Sequence, residues 1–254
     1  MTIASFKDRR PLVVAILAAG KGKRMKSDLP KVLHPVGGKP MLLHVIALAK
    51  ELHPDRIIVI IGHGKEKVIE ALENTGVEYV FQEKQLGTGH AVMQLETKLK
   101  DFDGDLLILS GDVPLLRLET LRQLLQTHGK KGAGATLLTA LFPDPTGYGR
   151  ILRTPSDTLD RIIEHKDCSP DQLSIREINA GIYIFDTQTL FKALKKIDNN
   201  NQQGEYYLPD ALSYFPDSGK TVALQVMVDP QEIAGVNTQE QLLEINRIFE
   251  SRNE

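Results

Sequence analysis

Leu12-Val-Val-Ala-Ile-Leu17 is apolar without interruption and runs straight into a loop that carries glycines and several basic side chains. Continuous rather than alternating hydrophobicity marks a strand buried on both faces, which suits a parallel sheet covered by helices. The spacing of Leu42, Leu43, Ile46, Ala47 and Ala49 predicts a helix over Pro40–Leu52, ended by Pro54. Arg56–Ile61 reads as a second strand, Lys65–Glu73 as a helix and Val77–Phe81 as a third strand. Thr88 is expected to cap a single helix reaching Leu99; the strand Asp105–Leu109 and the amphipathic helix Leu116–Thr127 follow. Strands alternating with helices imply right-handed crossovers and a mostly parallel sheet.

Past about residue 135 the texture changes. Ala135–Leu141, Gly149–Arg153, Leu159–Ile163 and Ile178–Phe185 are short strand-like runs between Pro, Gly and Asp, which predicts antiparallel additions to the sheet. Helices at Thr187–Lys196 and Leu208–Tyr214, a strand at Thr221–Val228 and a last helix from Thr238 complete the reading. Thr238-Gln-Glu-Gln241 has the capping-box pattern, and Leu242, Ile245 and Phe249 share one face beyond it. Residues 1–11 read as a frayed arm.

Composition narrows the function classes. The 254 residues carry 31 Lys+Arg against 33 Asp+Glu, a net charge of −2, which removes the broad basic field that nucleic acid or a membrane surface would require. No apolar run approaches the roughly 20 residues of a membrane helix. The single cysteine, Cys168, permits no internal disulfide and fits a reducing, cytoplasmic setting. No Gly-x-Ser-x-Gly occurs, and the seven histidines are scattered, His34, His63, His90 and His165 reading as ordinary packed or polar residues.

Two segments carry chemistry. The loop after the first strand, Leu17-Ala-Ala-Gly-Lys-Gly-Lys-Arg-Met25 continuing to Lys31, combines small residues, whose backbone N–H groups can approach phosphates, with the charges of Lys21, Lys23, Arg24 and Lys31. It lies where open α/β sheets bind ligands, outside a strand's carboxyl end. It matches neither the dinucleotide fingerprint, since Met25 stands where a third Gly or Ala belongs, nor Gly-x-x-x-x-Gly-Lys with Ser or Thr. Ser110-Gly-Asp112-Val-Pro114 sets a carboxylate at the same sheet edge, and Asp112 is the best candidate ligand for magnesium, which takes oxygen donors.

With Pro30-Lys-Val-Leu-His34, the first loop resembles the signature of the sugar nucleotidyltransferases, and among them the bacterial N-acetylglucosamine-1-phosphate uridyltransferases. Gln85–Ala91, Gly111–Pro114, Thr146–Ile151, Ile163–Asp167, Glu177–Asn179, Asn199–Tyr207 and Gly235–Asn237 extend the likeness in order over about residues 12–250. The resemblance implies a Rossmann-like nucleotidyltransferase fold: α/β, a mixed, mostly parallel sheet with helices on both faces and an antiparallel sugar-binding lobe. It divides the chain into a nucleotide-binding part over 12–134, a sugar-binding part over 135–237 and a C-terminal helix over 238–254. Leu17, Ala18, Ala19 and Gly20 would hold the nucleotide, with Gln82, Gly87 and Thr88 reading the uracil and the ribose side. Arg24 and Lys31 would act at the phosphates, Gly149, Glu164 and Asn179 would hold the sugar, and Asp112 and Asn237 would bind Mg²⁺. The implied reaction joins UTP and N-acetylglucosamine 1-phosphate, giving UDP-N-acetylglucosamine and pyrophosphate. Another hexose 1-phosphate or nucleotide, and a non-catalytic sugar-nucleotide sensor, remain as alternatives.

Lys23, Ser110 and Ala180 depart from the residues usual in that family, which bears on nucleotide affinity and on the shape of the sugar pocket. The acetyltransferase β-helix that ordinarily follows lies outside this sequence; if the chain is the complete gene product, it is expected not to acetylate glucosamine 1-phosphate, and a separate acetyltransferase would act upstream.

Overall fold

The structure is a computed structural model in which residues 10–253 are described. The arm predicted over 1–11 therefore lies largely outside the described residues. Within the described residues, the Arg10 guanidinium pairs with Asp103, Asp105 and Asp186 at 2.8–3.1 Å.

The chain opens with β1 (Leu12–Ala18), followed by 3-10 turns at Lys23–Met25 and Lys31–Leu33 and a small hairpin, β2 (Pro35–Val36) and β3 (Lys39–Pro40). Next come α1 (Met41–Lys50), β4 (Arg56–Ile61), α2 (Lys65–Leu72) and β5 (Glu78–Phe81). They are followed by α3 (Thr88–Met93), α4 (Glu96–Leu99), β6 (Asp105–Ser110) and α5 (Leu118–Lys131). The second half contributes β7 (Ala135–Leu141), β8 (Arg150–Arg153), β9 (Leu159–Ile163), α6 (Pro170–Leu173), β10 (Glu177–Asp186) and α7 (Thr187–Leu194). It ends with β11 (Val222–Val226) and α8 (Gln239–Asn253). Two sequence expectations change. Leu208–Tyr214 is a 3-10 helix, and the run expected as one helix from Thr88 to Leu99 is broken. The break has a local cause. The Gln94 side-chain amide donates to the His90 carbonyl at 2.9 Å, and Gln94 N and Leu95 N turn instead to Ala91 O and Val92 O, three residues back.

The main sheet runs β11-β7-β10-β6-β1-β4-β5, with β8 and β9 hanging from β10 as an antiparallel ribbon. Strands β6, β1, β4 and β5 are parallel; β10 is antiparallel to both β6 and β7. The core is double, as the apolar first strand requires. Leu12, Val14, Ile16 and Ala18 face one cluster with α1 and α5 residues such as Leu42 and Leu121, while Val13 and Ala15 face the other with Val92 and Leu190. A third, smaller cluster joins Leu242, Ile245 and Phe249 of α8 to Met25, Val36, Met41, Leu115 and Val236, strapping the last helix across the loops at the top of the sheet.

Successive strands move from β1 outward to β4 and β5, and then β6 returns to the opposite side of β1. The chain thus leaves the carboxyl ends of neighbouring strands in opposite directions, opening a crevice between the β1 and β6 loops. Ligands of open α/β sheets bind at such a switch point.

Candidate active site

The β1 and β6 loops meet in that crevice. Ser110 sits in register with Leu17, and Gly111 N donates to Leu17 O at 2.9 Å, so the sheet itself delivers Asp112 to the mouth of the glycine loop. From the other side comes Lys31. Gly22 adopts a left-handed φ of +57°, and a Cβ there would stand 2.8 Å from the Lys31 Cβ; only glycine lets the loop fold back onto the lysine stem. The Lys31 ammonium donates to Asp112 Oδ2 and, at 3.1 Å, to Asn237 Oδ1. One ammonium therefore bridges the two side-chain oxygens that the family resemblance implies as metal ligands, although Asn237 lies 206 residues beyond Lys31. Val236 N donates to Asp112 O at 3.2 Å, fastening the two loops beside this triad.

Asn237 is positioned by the helix behind it. The Thr238 hydroxyl accepts from Gln241 N at 3.3 Å, the first half of the expected capping box, but the Gln241 carboxamide oxygen accepts from Asn237 N at 2.7 Å, one residue before the cap. Gln239 Nε2 adds a bond to Met25 O at 3.1 Å, tying α8 to the basic loop. Arg24 is exposed next to Met25, and its guanidinium has no partner among the described residues.

A cavity of about 200 Å³ extends from the crevice; Leu17, Thr88, Ser110, Gly149, Glu164 and Asn179 are among its walls. Asn179 precedes an irregularity in β10: it pairs with Thr139, whereas Tyr183, four residues on, pairs with Leu137, only two residues away. The displaced backbone turns the carboxamide to bonds with Tyr183 Oη at 2.6 Å and Gly181 N at 3.1 Å. Gly149 O accepts from Asn179 N at 2.9 Å, and a Cβ on Gly149 would stand 3.2 Å from Glu164 Oε1, so these three residues form one wall. Burial, reinforced by Asp210, Asp167 and Glu205, lifts the Glu164 carboxyl from 4.5 to about 7. Burial likewise pushes the Tyr148 and Tyr183 phenols upward, keeping both protonated on the cavity wall at neutral pH.

The other predicted nucleotide residues gather at the carboxyl ends of β4 and β5. Gln82 is buried, and its amide donates to Gly87 O at 3.0 Å. Gln85 Nε2 donates to Gln82 O at 2.9 Å, and Ala19 O accepts from His63 N at 3.2 Å, which draws the β1, β4 and β5 loops together. Thr88 opens α3 but does not cap it, contrary to the sequence expectation. Its hydroxyl instead accepts from Leu208 N at 3.0 Å, while Gly89 N donates to Tyr206 O and Tyr206 N to Leu86 O, both at 2.8 Å. Clamped onto residues 206–208, the loop takes a φ of +107° at Gly87.

The crevice geometry agrees with what similarity identifies. The sequence profile of the MobA-like NTP transferase domain matches residues 14–167. The chain belongs to that family. It is 47% identical over 237 residues to the bifunctional protein GlmU of Oceanobacillus iheyensis, covering 93% of this chain and 52% of that protein. Against the bifunctional protein GlmU of Thermus thermophilus it is 50% identical over 234 residues, covering 92% of this chain and 51% of the relative. The chain thus spans about half the length of the curated relatives it matches. Among solved structures, a UDP-glucose pyrophosphorylase complexed with UDP-glucose superposes with a TM-score of 0.74 at 17% identity, over 95% of this chain and 99% of the other. A putative glucose-1-phosphate thymidylyltransferase from Bacillus anthracis gives 0.71 at 20% identity, over 93% and 94% of the two chains. At those identities the structures establish the shared fold.

Lys31, Asp112 and Asn237 come together at one point, and Leu17, Thr88, Gly149, Glu164 and Asn179 around one cavity. Ala18 and Ala19 are buried at the end of β1, and Gly20 is exposed at the lip. Sequence reasoning missed Gln241 and Tyr183, and gave Tyr206 no role beyond its place in the Asn199–Tyr207 likeness. The capping pattern at Thr238 drew attention to Gln241 as a helix device, but its grip on Asn237 emerges only in three dimensions. No local signal marks Tyr183. Among the described residues no three His, Cys, Asp or Glu side chains group as a metal site, and no helix is long and apolar enough to cross a membrane.

Proposed function

We propose that this chain is a uridyltransferase that joins UTP to N-acetylglucosamine 1-phosphate, releasing pyrophosphate and UDP-N-acetylglucosamine. One observation carries the reading: a lysine, a carboxylate and a carboxamide oxygen converge at the switch-point crevice beside a cavity whose far wall is Gly149, Glu164 and Asn179. The extent of likeness to the GlmU relatives, over 92–93% of this chain, favours UTP and the N-acetylated sugar over other pairs.

The attacking sugar-phosphate oxygen is anionic near neutral pH, so the reaction requires no general base. In-line displacement at the α-phosphorus then rests on positioning and on countering charge. Lys31 and Arg24 supply positive charge to the phosphates; Arg24 is unpaired and exposed, so it is available without breaking a bond. Backbone N–H groups of the loop after Ala19 approach the phosphate chain, while Gln82 and Thr88 face the base and ribose. Glu164 and Asn179 hold sugar hydroxyl and amide groups.

The donor chemistry fits a hard divalent cation. Asp112 Oδ2 and Asn237 Oδ1 already converge on the Lys31 ammonium, and Mg²⁺ is commonly held by one or two protein oxygens plus substrate phosphates. When bound, the ion would neutralise charge developing on the phosphates. Asp112 and Asn237 would hold the ion, and Lys31, beside them, would serve the phosphates of the nucleotide.

Incubation of the purified chain with UTP, Mg²⁺ and N-acetylglucosamine 1-phosphate should release pyrophosphate, and EDTA should abolish the release. Pyrophosphate formed equally without the sugar phosphate, or folded protein that binds UDP-N-acetylglucosamine without turnover, would contradict the proposal.

A further inference from the structure

Among the described residues Arg150 is the largest side chain that is fully buried, at 1% exposure. An arginine cannot shed its proton to escape the cost of burial. Yet its hydrogen-bond partners include no carboxylate: Nη1 donates to Tyr148 O, and Nη2 to His165 Nδ1 at 3.3 Å and to Leu173 O at 3.5 Å. Its Nε has no partner at all, and no carboxylate pairs with the guanidinium among the described residues. By comparison, Arg153, three residues on, holds Glu177 through two bonds of 2.6–2.7 Å. Fold stability alone does not explain a buried fork that no carboxylate pairs with directly, because an apolar side chain of similar volume could fill the space at lower cost.

What the fork holds is informative. Tyr148 immediately precedes Gly149, and His165 immediately follows Glu164. The backbone of Arg150 pairs with Ile178, the residue before Asn179. All three residues of the cavity wall opposite the crevice therefore adjoin groups fixed by Arg150: two through its side chain and one through its strand pairing. The acceptor role of His165 Nδ1 also fixes the imidazole with its proton on Nε2, since a guanidinium can only donate. A lysine, with one compact charge, would not span Tyr148 O, His165 Nδ1 and Leu173 O together.

We propose that Arg150 is the positioning residue of the sugar subsite, setting the separation between Gly149 and Glu164 so that the N-acetylhexosamine moiety is gripped while the nucleotide is not affected. The inference rests on the sugar-phosphate reading above and adds to it a residue that touches no substrate. Because the nucleotide side of the crevice is built from β1, β4 and β5 loops, which Arg150 does not contact, its loss should separate the two halves of the site.

The test uses Arg150→Lys and Arg150→Ala beside the wild type, with calorimetric titration of UDP and of UDP-N-acetylglucosamine and steady-state kinetics varying each substrate in turn. UDP affinity and the KM for UTP should stay within about twofold of the wild type. The gain in affinity from UDP to UDP-N-acetylglucosamine should disappear, and the KM for N-acetylglucosamine 1-phosphate should rise at least about tenfold, a loss of binding of about 1.4 kcal/mol. Added guanidinium ion should restore sugar affinity to Arg150→Ala, which leaves a matching void, but not to Arg150→Lys. If Arg150→Ala does not fold, Arg150→Lys alone carries the test. Sugar affinity unchanged in the lysine variant, or UDP and UDP-sugar affinities falling together, would overturn the assignment. A wild type that binds UDP-N-acetylglucosamine no better than UDP would overturn the sugar-phosphate reading and this inference with it.

Discussion

Glu164→Gln should stabilise the protein in mild alkali and leave its stability unchanged in acid. Glu164 is largely buried beside three other carboxyl groups, and its pKa rises from 4.5 to about 7. Between those values the folded chain holds a proton that the unfolded chain has released, so unfolding free energy falls as pH rises. The contribution is fully present below about pH 4.5 and is lost as pH climbs through about 7. At about 1.4 kcal/mol per pH unit, the interval from 4.5 to about 7 corresponds to about 3 kcal/mol. Glutamine keeps the shape of the neutral carboxyl and cannot ionise, so it avoids that loss. The variant should be about 3 kcal/mol more stable than the wild type at pH 8 and equal to it near pH 4.5, or about 6–12 °C in Tm for a chain of this size. Urea unfolding of both proteins at a series of pH values measures the difference directly. Parallel pH profiles would refute the reasoning, since they would mean that Glu164 ionises as readily folded as unfolded. The stabilised variant should at the same time bind the sugar phosphate less well, because an ionised carboxylate accepts hydrogen bonds that an amide nitrogen cannot.

Other substitutions probe separate parts of the account. Lys31→Gln should lower kcat by about 10²–10³-fold, the range for losing one pre-organised donor to a developing charge, with little change in Tm; near-normal turnover would remove Lys31 from the phosphates. Gln241→Ala should cost about 1 kcal/mol of stability through the lost bond to Asn237 N. It should also weaken Mn²⁺ binding measured by electron paramagnetic resonance in the presence of UTP, and an unchanged metal affinity would show that Asn237 needs no support from α8. Gly87→Ala places a Cβ 2.5 Å from Tyr206 O at a φ of +107°, so it should destabilise by more than 1 kcal/mol and raise the KM for UTP; a wild-type melting curve would contradict the clamp described for residues 206–208.

The sequence made the parallel half of the sheet legible because its strands are buried on both faces, and continuous apolar runs such as Leu12–Leu17 leave few other arrangements. Asp112 could be read for a related reason: it follows directly on one of those strands, so the fold fixes the edge at which it emerges. Asn237 was different. Nothing within ten residues of it indicates a ligand, and only the resemblance drew it in before the structure brought it to Lys31. The failures are equally local in cause. Thr88 carries the composition of a helix cap, but Leu208 N, 120 residues away, takes its hydroxyl. Gln94 is a good helix former by propensity, yet its side chain captures the carbonyl that its own backbone N–H would have used. Gln241 satisfies half of a capping box and spends the other half on Asn237. In each case periodicity and propensity describe what a segment does alone, whereas the outcome was decided by a hydrogen-bond partner that the pattern does not encode.

The choice of sugar phosphate by the cavity beside Asp112 is measured as kcat/KM for pyrophosphate release with UTP and Mg²⁺ against N-acetylglucosamine 1-phosphate, glucosamine 1-phosphate and glucose 1-phosphate. Release should depend on metal and prefer the N-acetylated sugar by at least tenfold, about 1.4 kcal/mol of discrimination. Equal turnover of all three sugars, or a preference for glucose 1-phosphate, would contradict the proposed function.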